Sequence, residues 1–437
     1  MEALQRIYEA YQKGASICTD TRKITPGCIF FSLRGDNFNG NLFAQQALDA
    51  GASLSVVDDD ALPQNDRFVK VQNVLESLQE LALLHRKNLN IPVIGITGSN
   101  GKTTTKELVS RVLSKKYRTY HTQGNLNNHI GVPLTLLSIP KDTELAVVEM
   151  GANHRHEIGF LCSIALPTHV LITNVGKAHL EGFGGFEGVK LGKGEMYTFA
   201  KSNGALVFLN ADNPHLVSML GQHDRVFAYG SSADATIQGV AIPNTQYASV
   251  KWVSNKTNDW NQIQSNITGH YNCENILSAV SIGTHFGVDD SDIISAVESY
   301  TPDNQRSQEL SFGETKVILD AYNANPTSME AAILNFQNSF TGKKMIFLGD
   351  MLELGDESPS EHSRILELAC KTGCDKIILV GPRFKTAAQR SGPSFVFCLD
   401  DSAQAAEWVQ SNRPGKCTIL IKGSRGSKME KVLEGLK

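Results

Sequence analysis

The sequence predicts an α/β protein of three domains: a small α/β domain at the N-terminus, a central domain with a mostly parallel sheet, and a Rossmann-like α/β domain at the C-terminus. Three observations support this prediction. Short apolar, β-branched runs alternate with helix-forming segments along most of the 437 residues. A glycine-rich turn joins one of these strands to a helix near residue 100. A second series of alternating strands and helices begins near residue 303.

The composition is that of a globular protein. Hydrophobic residues make up 41% of the chain and charged residues 20%, so each domain can bury a core. The net charge of −4 is spread without a basic run, which argues against nucleic acid as a partner. No apolar run approaches the roughly 18 residues that span a bilayer, so we expect no membrane insertion.

The cysteines and the N-terminus indicate the compartment. The eight cysteines form no C-x-x-C pair, and we predict that they are free thiols of a reducing compartment. The first sixteen residues have the pattern of an amphipathic helix and lack the apolar core of a signal peptide. We therefore expect a soluble, cytoplasmic protein, and a monomer.

The first predicted domain comprises residues 1–88. Short strands are expected at 28–33 and 54–57, with a helix near 44–50 between them and a closing helix at 75–88. The boundary follows at Asn90-Ile91-Pro92, because the residue before a proline avoids the helical conformation.

The central domain, residues 89–302, opens with the strand VIGIT at 93–97, and glycines and a helix follow at once. Further apolar runs at 145–150, 169–175 and 204–210 are typical of a parallel sheet that is covered on both faces. Residues 226–268 alternate polar and apolar side chains and predict an antiparallel patch at the edge of the domain.

The last domain, residues 303–437, has strands predicted at 316–320, 344–350, 376–381 and 417–423, with helical segments between them. This order is that of a second doubly wound α/β unit.

The strongest chemical feature is the glycine-rich loop between the first central strand and its helix. It reads Gly98, Ser99, Asn100, Gly101, Lys102, Thr103, Thr104. Glycines let backbone N–H groups face phosphates, Lys102 can reach the terminal phosphates, and Thr103 can bind Mg²⁺. The general P-loop pattern has a glycine where this chain has Ile96. The alternative is a helix-capping turn with a surface lysine, and we favour a P-loop-type ATPase domain.

Two residues follow other central strands and are candidate metal ligands. Glu149 ends the strand at 145–150, and His179 follows the strand at 169–175. The carboxyl ends of parallel strands meet at one sheet edge, where ligands bind. Carboxylate and imidazole both bind metals, although a polar loop residue is the plainer interpretation of either one alone.

Other polar residues leave two interpretations open. Lys193 has the spacing of a surface lysine. Asn275 is either an adenine contact or a helix cap. Asp320 and Asp350 end strands, where they can bind a ligand or cap a loop. Arg306 lies past the second boundary and can stabilise phosphate or form a surface ion pair.

A set of motifs occurs in order along almost the whole chain: TGSNGKTTTKE, GNLNNHIGVPLTLL, EMGA, TNVGKAHLEGFG, KGE, DAYNANPTSM, GDMLELG and KGSRG. Together they resemble the Mur ligases. The motifs YNANP and GDMLELG resemble those of one branch of the family, the ligases that join D-Ala-D-Ala to UDP-N-acetylmuramoyl-tripeptide. The resemblance implies a UDP-sugar-binding first domain, and a reaction in which ATP activates a carboxylate as an acyl phosphate.

The resemblance also implies roles for particular residues. The loop from Gly98 to Thr104 binds ATP, with Lys102 on its phosphates, and Asn275, Arg306 and Asp320 complete the nucleotide site. Two Mg²⁺ ions are expected on Thr103, Glu149, His179 and a carbamylated Lys193, so Lys102, His179, Lys193 and Arg306 are the implied catalytic residues. The implied substrate-binding residues are Asp20, Thr21, Arg22, Ser32 and Arg34 for the UDP-sugar, and Asn323, Asn325, Lys422, Ser424 and Arg425 for the dipeptide.

One departure concerns the first domain. The family pattern FDGHxF is replaced by Phe38-Asn39-Gly40-Asn41-Leu42-Phe43, so asparagines stand for both the aspartate and the histidine. There are three alternatives. The C-terminal motifs argue against a sister ligase that adds the third amino acid, and the Asp20-Thr21-Arg22 segment of the first domain argues against a folylpolyglutamate synthetase. The third is a P-loop switch that hydrolyses ATP without an amino-acid acceptor.

Overall fold

The computed structural model describes residues 2–243, 245–254, 259–391 and 395–437. Within these ranges, three consecutive α/β units each have a sheet of their own. The predicted boundaries at 88/89 and 302/303 fall in the segments that separate these units, 89–92 and 299–307.

The first unit is a four-stranded parallel sheet with a small hairpin beside it. Its strands are β1 (Ile17–Cys18), β2 (Ile29–Phe31), β3 (Arg34–Gly35), β4 (Phe38–Asn39), β5 (Leu54–Val57) and β6 (Phe68–Lys70), and its helices are α1 (Glu2–Gln12), α2 (Ala44–Asp49) and α3 (Val74–Asn88). The strand order is β1-β2-β5-β6, and β3 pairs with β4. The amphipathic helix expected at the N-terminus is therefore present as α1.

The central unit is a nine-stranded sheet covered by helices. Its strands are β7 (Val93–Thr97), β8 (Thr119–His121), β9 (Leu145–Glu149), β10 (His169–Ile172), β11 (Leu206–Asn210), β12 (Val226–Gly230), β13 (Ile237–Ala241), β14 (Tyr247–Ser254) and β15 (Asn261–Thr268). Its helices are α4 (Lys102–Leu113), α5 (Gly131–Leu137), α6 (Glu157–Ala165), α7 (Leu180–Phe183), α8 (Phe186–Asn203), α9 (Pro214–Leu220), α10 (Asn272–His285) and α11 (Asp290–Glu298). The order β15-β14-β13-β12-β11-β10-β7-β9-β8 places β7 among parallel strands.

The prediction of an antiparallel patch over 226–268 is wrong for its first part. Helix α9 carries the chain across the sheet, so β12 returns parallel to β11, and β13 also pairs parallel with β12. The antiparallel pairs are β13–β14 and β14–β15. Residues 244 and 255–258 of this stretch lie outside the described residues.

The last unit is a six-stranded sheet in which β16 alone is antiparallel to its neighbour. Its strands are β16 (Gln308–Phe312), β17 (Thr315–Asp320), β18 (Lys344–Gly349), β19 (Lys376–Val380), β20 (Val396–Leu399) and β21 (Thr418–Lys422), in the order β16-β17-β21-β18-β19-β20. Its helices are α12 (Pro326–Ser339), α13 (Ser358–Cys370), α14 (Pro382–Ser391) and α15 (Ser402–Ser411). The four strands expected from the sequence are present, and the two sheet edges, β16 and β20, were not predicted.

The core is shared between the units. One cluster of buried hydrophobic side chains includes Phe31 of the first sheet, Val148 of the second and Leu348 of the third. All eight cysteines are free thiols, as the sequence predicted. Among the described residues, no helix is both long and apolar enough to cross a membrane.

Arg86 connects the first unit to the second. It is buried in α3, and its guanidinium donates hydrogen bonds to the carbonyl oxygens of Ala165, Leu166 and Leu89 at 2.8, 3.0 and 2.9 Å. Burial lowers the pKa of Arg86. Three backbone carbonyl oxygens therefore receive a hydrogen bond from the single side chain of Arg86.

We predict that Arg86→Leu lowers the free energy of unfolding by about 3 kcal/mol, because three carbonyl oxygens, one of them in a buried hydrogen bond, lose their donor. Urea unfolding measures the change, and Lys87→Leu at the exposed neighbouring position is the control. Equal stability of the two variants would contradict this account of the contact between the units.

Candidate active site

A cavity of about 640 Å³ lies between the central and C-terminal units. It is placed where the carboxyl ends of β7, β9 and β17 meet, as expected for a ligand site in parallel sheets. Candidates from both units line it: Ser99, Asn100, Gly101, Lys102, Thr104, Glu149, His179, Asn275, Arg306, Asp320, Asn323, Asn325 and Lys422. One cavity thus collects most of the site residues that were proposed from the sequence.

The glycine-rich loop joins β7 to α4 and requires its two glycines. Gly98 has φ +146° and Gly101 has φ +80°, which are conformations that other residues rarely adopt. A Cβ at position 98 would lie 2.0 Å from Oγ1 of Thr173, and one at position 101 would lie 2.4 Å from Oδ1 of Asn275. The loop can therefore approach Thr173 and Asn275 this closely only if positions 98 and 101 are glycines.

Lys102 is the first residue of α4 and lines the cavity. Its Nζ donates to the carbonyl oxygens of Gly98 at 2.6 Å and Ser99 at 3.4 Å. The pKa of Lys102 is lowered to about 8, chiefly by burial; the charge of Glu149 opposes this shift, and that of Arg306 adds to it. The amine remains mostly protonated at neutral pH, and its hydrogen-bond partners among the described residues are neutral carbonyl oxygens. It is therefore a cation available to an anion, and the interpretation as a surface lysine is wrong.

Glu149 ends β9 and is held by two donors. Thr103 Oγ1 donates to its Oε2 at 2.9 Å, and Asn127 Nδ2 donates to its Oε1 at 2.7 Å. Glu149 is buried. The side-chain oxygens of Glu149, at the end of β9, and of Thr103, at the start of α4, thus meet at the phosphate loop. The sequence analysis gave Asn127 no role, although it lies in the motif GNLNNHIG after β8.

His179 and Lys193 are placed differently. His179 lines the cavity, and its Nδ1 contacts the carboxylate of Glu353 from the C-terminal unit. Lys193 is buried in α8, and its Nζ donates to the carbonyl oxygen of Ala152 at 3.1 Å. Burial and the nearby positive Lys102 lower the pKa of Lys193 well below its ordinary value. The surface interpretation of Lys193 is therefore wrong.

No group of three or more His, Cys, Asp or Glu side chains is arranged to hold a metal ion in the part of the chain that the structure describes. The metal ligands that the sequence suggested include Thr103 and a modified lysine, which belong to none of these residue types.

Asn275 lies inside α10, so its interpretation as a helix cap is wrong. Its Oδ1 accepts from Thr105 Oγ1 at 3.0 Å, and its Nδ2 donates to Asn272 Oδ1 at 2.8 Å. Asn275 lines the cavity beside Tyr271 and Glu274. Its side-chain amide is fixed from two sides, and one of its N–H groups has no acceptor among the described residues.

Arg306 and Asp320 approach the cavity from the C-terminal unit. The Arg306 guanidinium lies over the ring of Tyr322, with its carbon 3.9 Å from the centroid. Over the described residues it forms no ion pair, so the expected alternative of a surface ion pair is wrong. Asp320 Oδ2 pairs with Lys422 Nζ at 2.5 Å, and Nζ also donates to the carbonyl oxygen of Asn323 at 3.3 Å.

Asn325 joins the two units directly. Its Oδ1 accepts from Ser328 N at 2.9 Å and caps α12, and its Nδ2 donates to Asn100 Oδ1 at 2.8 Å. Further contacts join the two units at the same interface: Lys177 forms an ion pair with Glu361 at 2.5 Å, and His179 Nδ1 lies against the carboxylate of Glu353. The C-terminal unit is thus in contact with the phosphate loop, and the sequence analysis missed Lys177, Glu353 and Glu361.

The remaining C-terminal candidates serve the local structure. Ser424 Oγ accepts from Leu352 N at 3.0 Å, and Arg425 Nη1 donates to Gln305 Oε1 at 3.1 Å. Neither residue lines the cavity. Asp350 accepts from the backbone N–H groups of Arg383 and Phe384 at the start of α14, so its interpretation as a loop cap is correct.

The five candidates of the first unit lie outside the cavity: Asp20, Thr21, Arg22, Ser32 and Arg34. Asp20 caps the short helix Thr21–Lys23 and pairs with Arg22 at 2.8 Å, and the hydrogen bonds from Arg22 lower the pKa of Asp20 to about 2. Arg34 pairs with Asp58 at 2.8 Å. Ser32 is buried, and its hydroxyl makes no hydrogen bond within the described ranges.

The two asparagines of the first unit form a network with Asp58. Asn41 Nδ2 donates to Asp58 Oδ1 at 2.7 Å and to Asn39 Oδ1 at 3.1 Å, and Asp58 N donates to Asn41 Oδ1 at 3.0 Å. Asp58 also holds Arg34. The carboxylate of Asp58 thus accepts hydrogen bonds from Asn41 and from Arg34, and the neutral amide of Asn41 supplies one of these donors.

Three family models match consecutive parts of the chain: "Mur ligase family, catalytic domain" at residues 15–95, "Mur ligase middle domain" at 96–283, and "Mur ligase, glutamate ligase domain" at 305–425. The chain belongs to the Mur ligase family.

Within that family, the chain is similar to UDP-N-acetylmuramoyl-tripeptide–D-alanyl-D-alanine ligases. It is 33% identical to the UDP-N-acetylmuramoyl-tripeptide–D-alanyl-D-alanine ligase of Bacillus subtilis, over 96% of this chain and 92% of that protein. A crystal structure of MurF from Acinetobacter baumannii has a TM-score of 0.86 and 29% identity, covering 100% of this chain and 98% of that one. The MurF ligase of Thermotoga maritima in complex with ADP has a TM-score of 0.85 and 26% identity, covering 97% of each chain.

We predict that Gly101→Ala weakens binding of a nonhydrolysable ATP analogue by about tenfold or more, because the new Cβ displaces Asn275 or the turn. Isothermal titration calorimetry measures the affinity. Gly204→Ala is a matched control, since Gly204 also has positive φ, +65°, but an added Cβ meets nothing within 4 Å. An equal loss of affinity in both variants would contradict the proposed role of the loop.

Proposed function

We propose that this chain is an ATP-dependent ligase that joins D-Ala-D-Ala to UDP-N-acetylmuramoyl-tripeptide, in the synthesis of peptidoglycan precursors. The observation that carries the proposal is the single cavity in which the phosphate loop of the central unit faces Arg306, Asp320 and Asn323 of the C-terminal unit. Relatives that align with 96% of this chain are named for the same reaction.

The chemistry requires two anions to meet. A carboxylate is a poor electrophile, so its oxygen attacks the γ-phosphate of ATP, and ADP leaves while an acyl phosphate forms. We assign Lys102 and Arg306 to the phosphates, because both cations line the cavity and neither is neutralised by an ion pair among the described residues. Positive charge fixed in place before the reaction lowers the barrier between two anions.

The second half-reaction forms the amide. The free amine of D-Ala-D-Ala attacks the acyl carbon, the tetrahedral intermediate collapses, and inorganic phosphate leaves. Water must be kept out, because it would hydrolyse the acyl phosphate. The contacts Asn325–Asn100 and Lys177–Glu361, which join the two units at the cavity, support this role for domain closure.

The residues at the phosphate loop fit Mg²⁺. Thr103 and Glu149 present oxygen atoms, which Mg²⁺ prefers, and they already lie 2.9 Å apart. We assign them to one ion and His179 with Lys193 to a second. The contact of His179 Nδ1 with Glu353 leaves Nε2 as the ring nitrogen for a metal. When bound, Mg²⁺ supplies charge that offsets the phosphates.

Lys193 suits the second ion only after modification. Burial lowers the pKa of Lys193, which favours the neutral form of the amine, and a neutral amine can attack CO₂ to form an N–C bond and lose a proton. The product is a carbamate, an anionic oxygen ligand. We propose this modification.

We predict that ¹³C NMR of the protein in ¹³C-bicarbonate has a carbamate resonance that Lys193→Arg lacks. The control is Lys201→Arg, an exposed lysine on the same helix, which should keep the resonance. A wild-type spectrum without the resonance, or a resonance that persists in Lys193→Arg, would rule the modification out.

For the substrates, we assign the dipeptide to the cavity wall formed by Asn323, Asn325 and Lys422. Ser424 and Arg425 support that wall from behind, through Ala324 and Gln305. We assign the UDP-sugar to the first unit, with Arg34 and Ser32 near the Asp58 network. Asp20, Thr21 and Arg22 belong to the same proposal.

The division into domains at 1–88, 89–302 and 303–437 is part of the proposal and is supported by the three separate sheets. We also propose that the chain acts in the cytoplasm as a monomer, which size-exclusion chromatography with light scattering tests.

The test of the function is phosphate release and amide formation by the purified protein with ATP and Mg²⁺. With UDP-N-acetylmuramoyl-tripeptide, we expect amide product and stoichiometric phosphate when D-Ala-D-Ala is present, and neither product with L-Ala-L-Ala. Tripeptides ending in lysine and in meso-diaminopimelate are both assayed.

Two outcomes would contradict the proposal. Phosphate release that ignores the dipeptide, without amide product, would indicate an ATPase switch. Product from UDP-N-acetylmuramoyl-dipeptide and a free diamino acid would indicate the sister ligase.

A further inference from the structure

The side chain of Arg306 lines the cavity and lies against the aromatic ring of Tyr322. Its guanidinium carbon lies 3.9 Å from the centroid of Tyr322, the shortest such distance among the described cation–ring pairs. No carboxylate pairs with Arg306 in the ranges that the structure covers. A guanidinium on a ring keeps its N–H donors free at the edge, where they can meet an anion.

The pairing of β16 with β17 brings these two residues together. In this antiparallel pair Gln308 lies opposite Leu319. Continued by two residues beyond the pair, the same register places Arg306 beside the segment that follows Asp320, where Tyr322 lies. The contact therefore depends on strand pairing within the C-terminal unit and moves with that unit as it approaches the phosphate loop.

The backbone on both sides of Arg306 is held in an unfavourable conformation. Gln305 has φ +59° and Ser307 has φ +50°, which is uncommon for residues other than glycine. Such conformations persist where surrounding contacts hold them. Here Ser307 Oγ lies 2.8 Å from the Tyr271 hydroxyl, and Arg425 donates to Gln305 Oε1 at 3.1 Å. Residues of both units thus fix the segment that presents Arg306.

We propose that Tyr322 is a positioning residue whose ring holds the Arg306 guanidinium at the cavity, with its N–H groups free for the phosphates of the nucleotide. This inference rests on the proposed function. The ring is the active part of Tyr322, since its hydroxyl makes no hydrogen bond with any described residue. Loss of the ring leaves Arg306 to sample orientations that do not reach the phosphates.

The test compares Tyr322→Leu with Tyr322→Phe in the full-length protein, with ATP, Mg²⁺, the UDP-linked tripeptide and D-Ala-D-Ala. Loss of the ring should lower kcat/KM for ATP by about 5- to 30-fold, with KM for D-Ala-D-Ala unchanged, and phenylalanine should restore most of the loss. The control is Trp260→Leu, which removes an exposed ring beside Lys251 at 5.2 Å and should not change the kinetics.

A double-mutant cycle separates positioning from a general structural effect. In an Arg306→Gln background, Tyr322→Leu should cause less than a twofold further loss, because the guanidinium that the ring holds is gone. Calorimetric affinity for the nonhydrolysable ATP analogue should follow the same pattern, and thermal melting establishes that each variant is folded. If Tyr322→Leu does not fold, Tyr322→Met takes its place in the cycle.

Three results would overturn the inference: an unchanged kcat/KM in Tyr322→Leu, an equal loss in both backgrounds, or no recovery with phenylalanine. A wild-type protein that forms no amide product would instead refute the proposed function, so the two failures are distinguishable.

Discussion

The site depends on positive charge that the protein places at the interface of two domains without neutralising it. Lys102 donates to backbone carbonyls, and Arg306 lies over a ring; neither of the two forms an ion pair with a described carboxylate. Burying an unpaired cation costs free energy, which is why the pKa of Lys102 is lowered. A polyanionic ligand offsets that cost when it binds. The affinity of the cavity for nucleotide thus follows from the same charges that weaken the empty protein.

The fold serves this arrangement through sheet edges that face each other. The carboxyl end of β7 leads into the phosphate loop, and the carboxyl end of β17 leads to Asp320 and Tyr322. Neither edge alone forms the site, because each carries part of the charge. Polar contacts such as Asn325 with Asn100 join the edges. Such an interface can open to admit substrates and close to exclude water, as a reaction through an acyl phosphate requires.

Local features of the sequence predicted much of this. The strand, glycine turn and lysine at 93–102 fixed the phosphate loop, because each step there has a local physical reason. The predictions that were wrong concern residues whose structure depends on partners far away in the sequence. Residues 226–240 look like edge strands, but α9 makes β12 parallel. Arg306 and Lys193 resemble surface residues in sequence, and only the packing of other elements buries Lys193 and places Tyr322 under Arg306. The sequence around Asn127 did not indicate its role, since Asn127 donates a hydrogen bond to Glu149, which lies 22 residues further along the chain.

The claim that the two domains share the phosphates is tested most directly by a crystal structure of the protein with Mg²⁺ and a nonhydrolysable ATP analogue. The account predicts that the terminal phosphate lies within hydrogen-bond distance of both Lys102 Nζ and the Arg306 guanidinium, with Arg306 still on the Tyr322 ring. Phosphates bound away from the loop Gly98–Thr104, or an Arg306 turned from them towards a carboxylate, would contradict it.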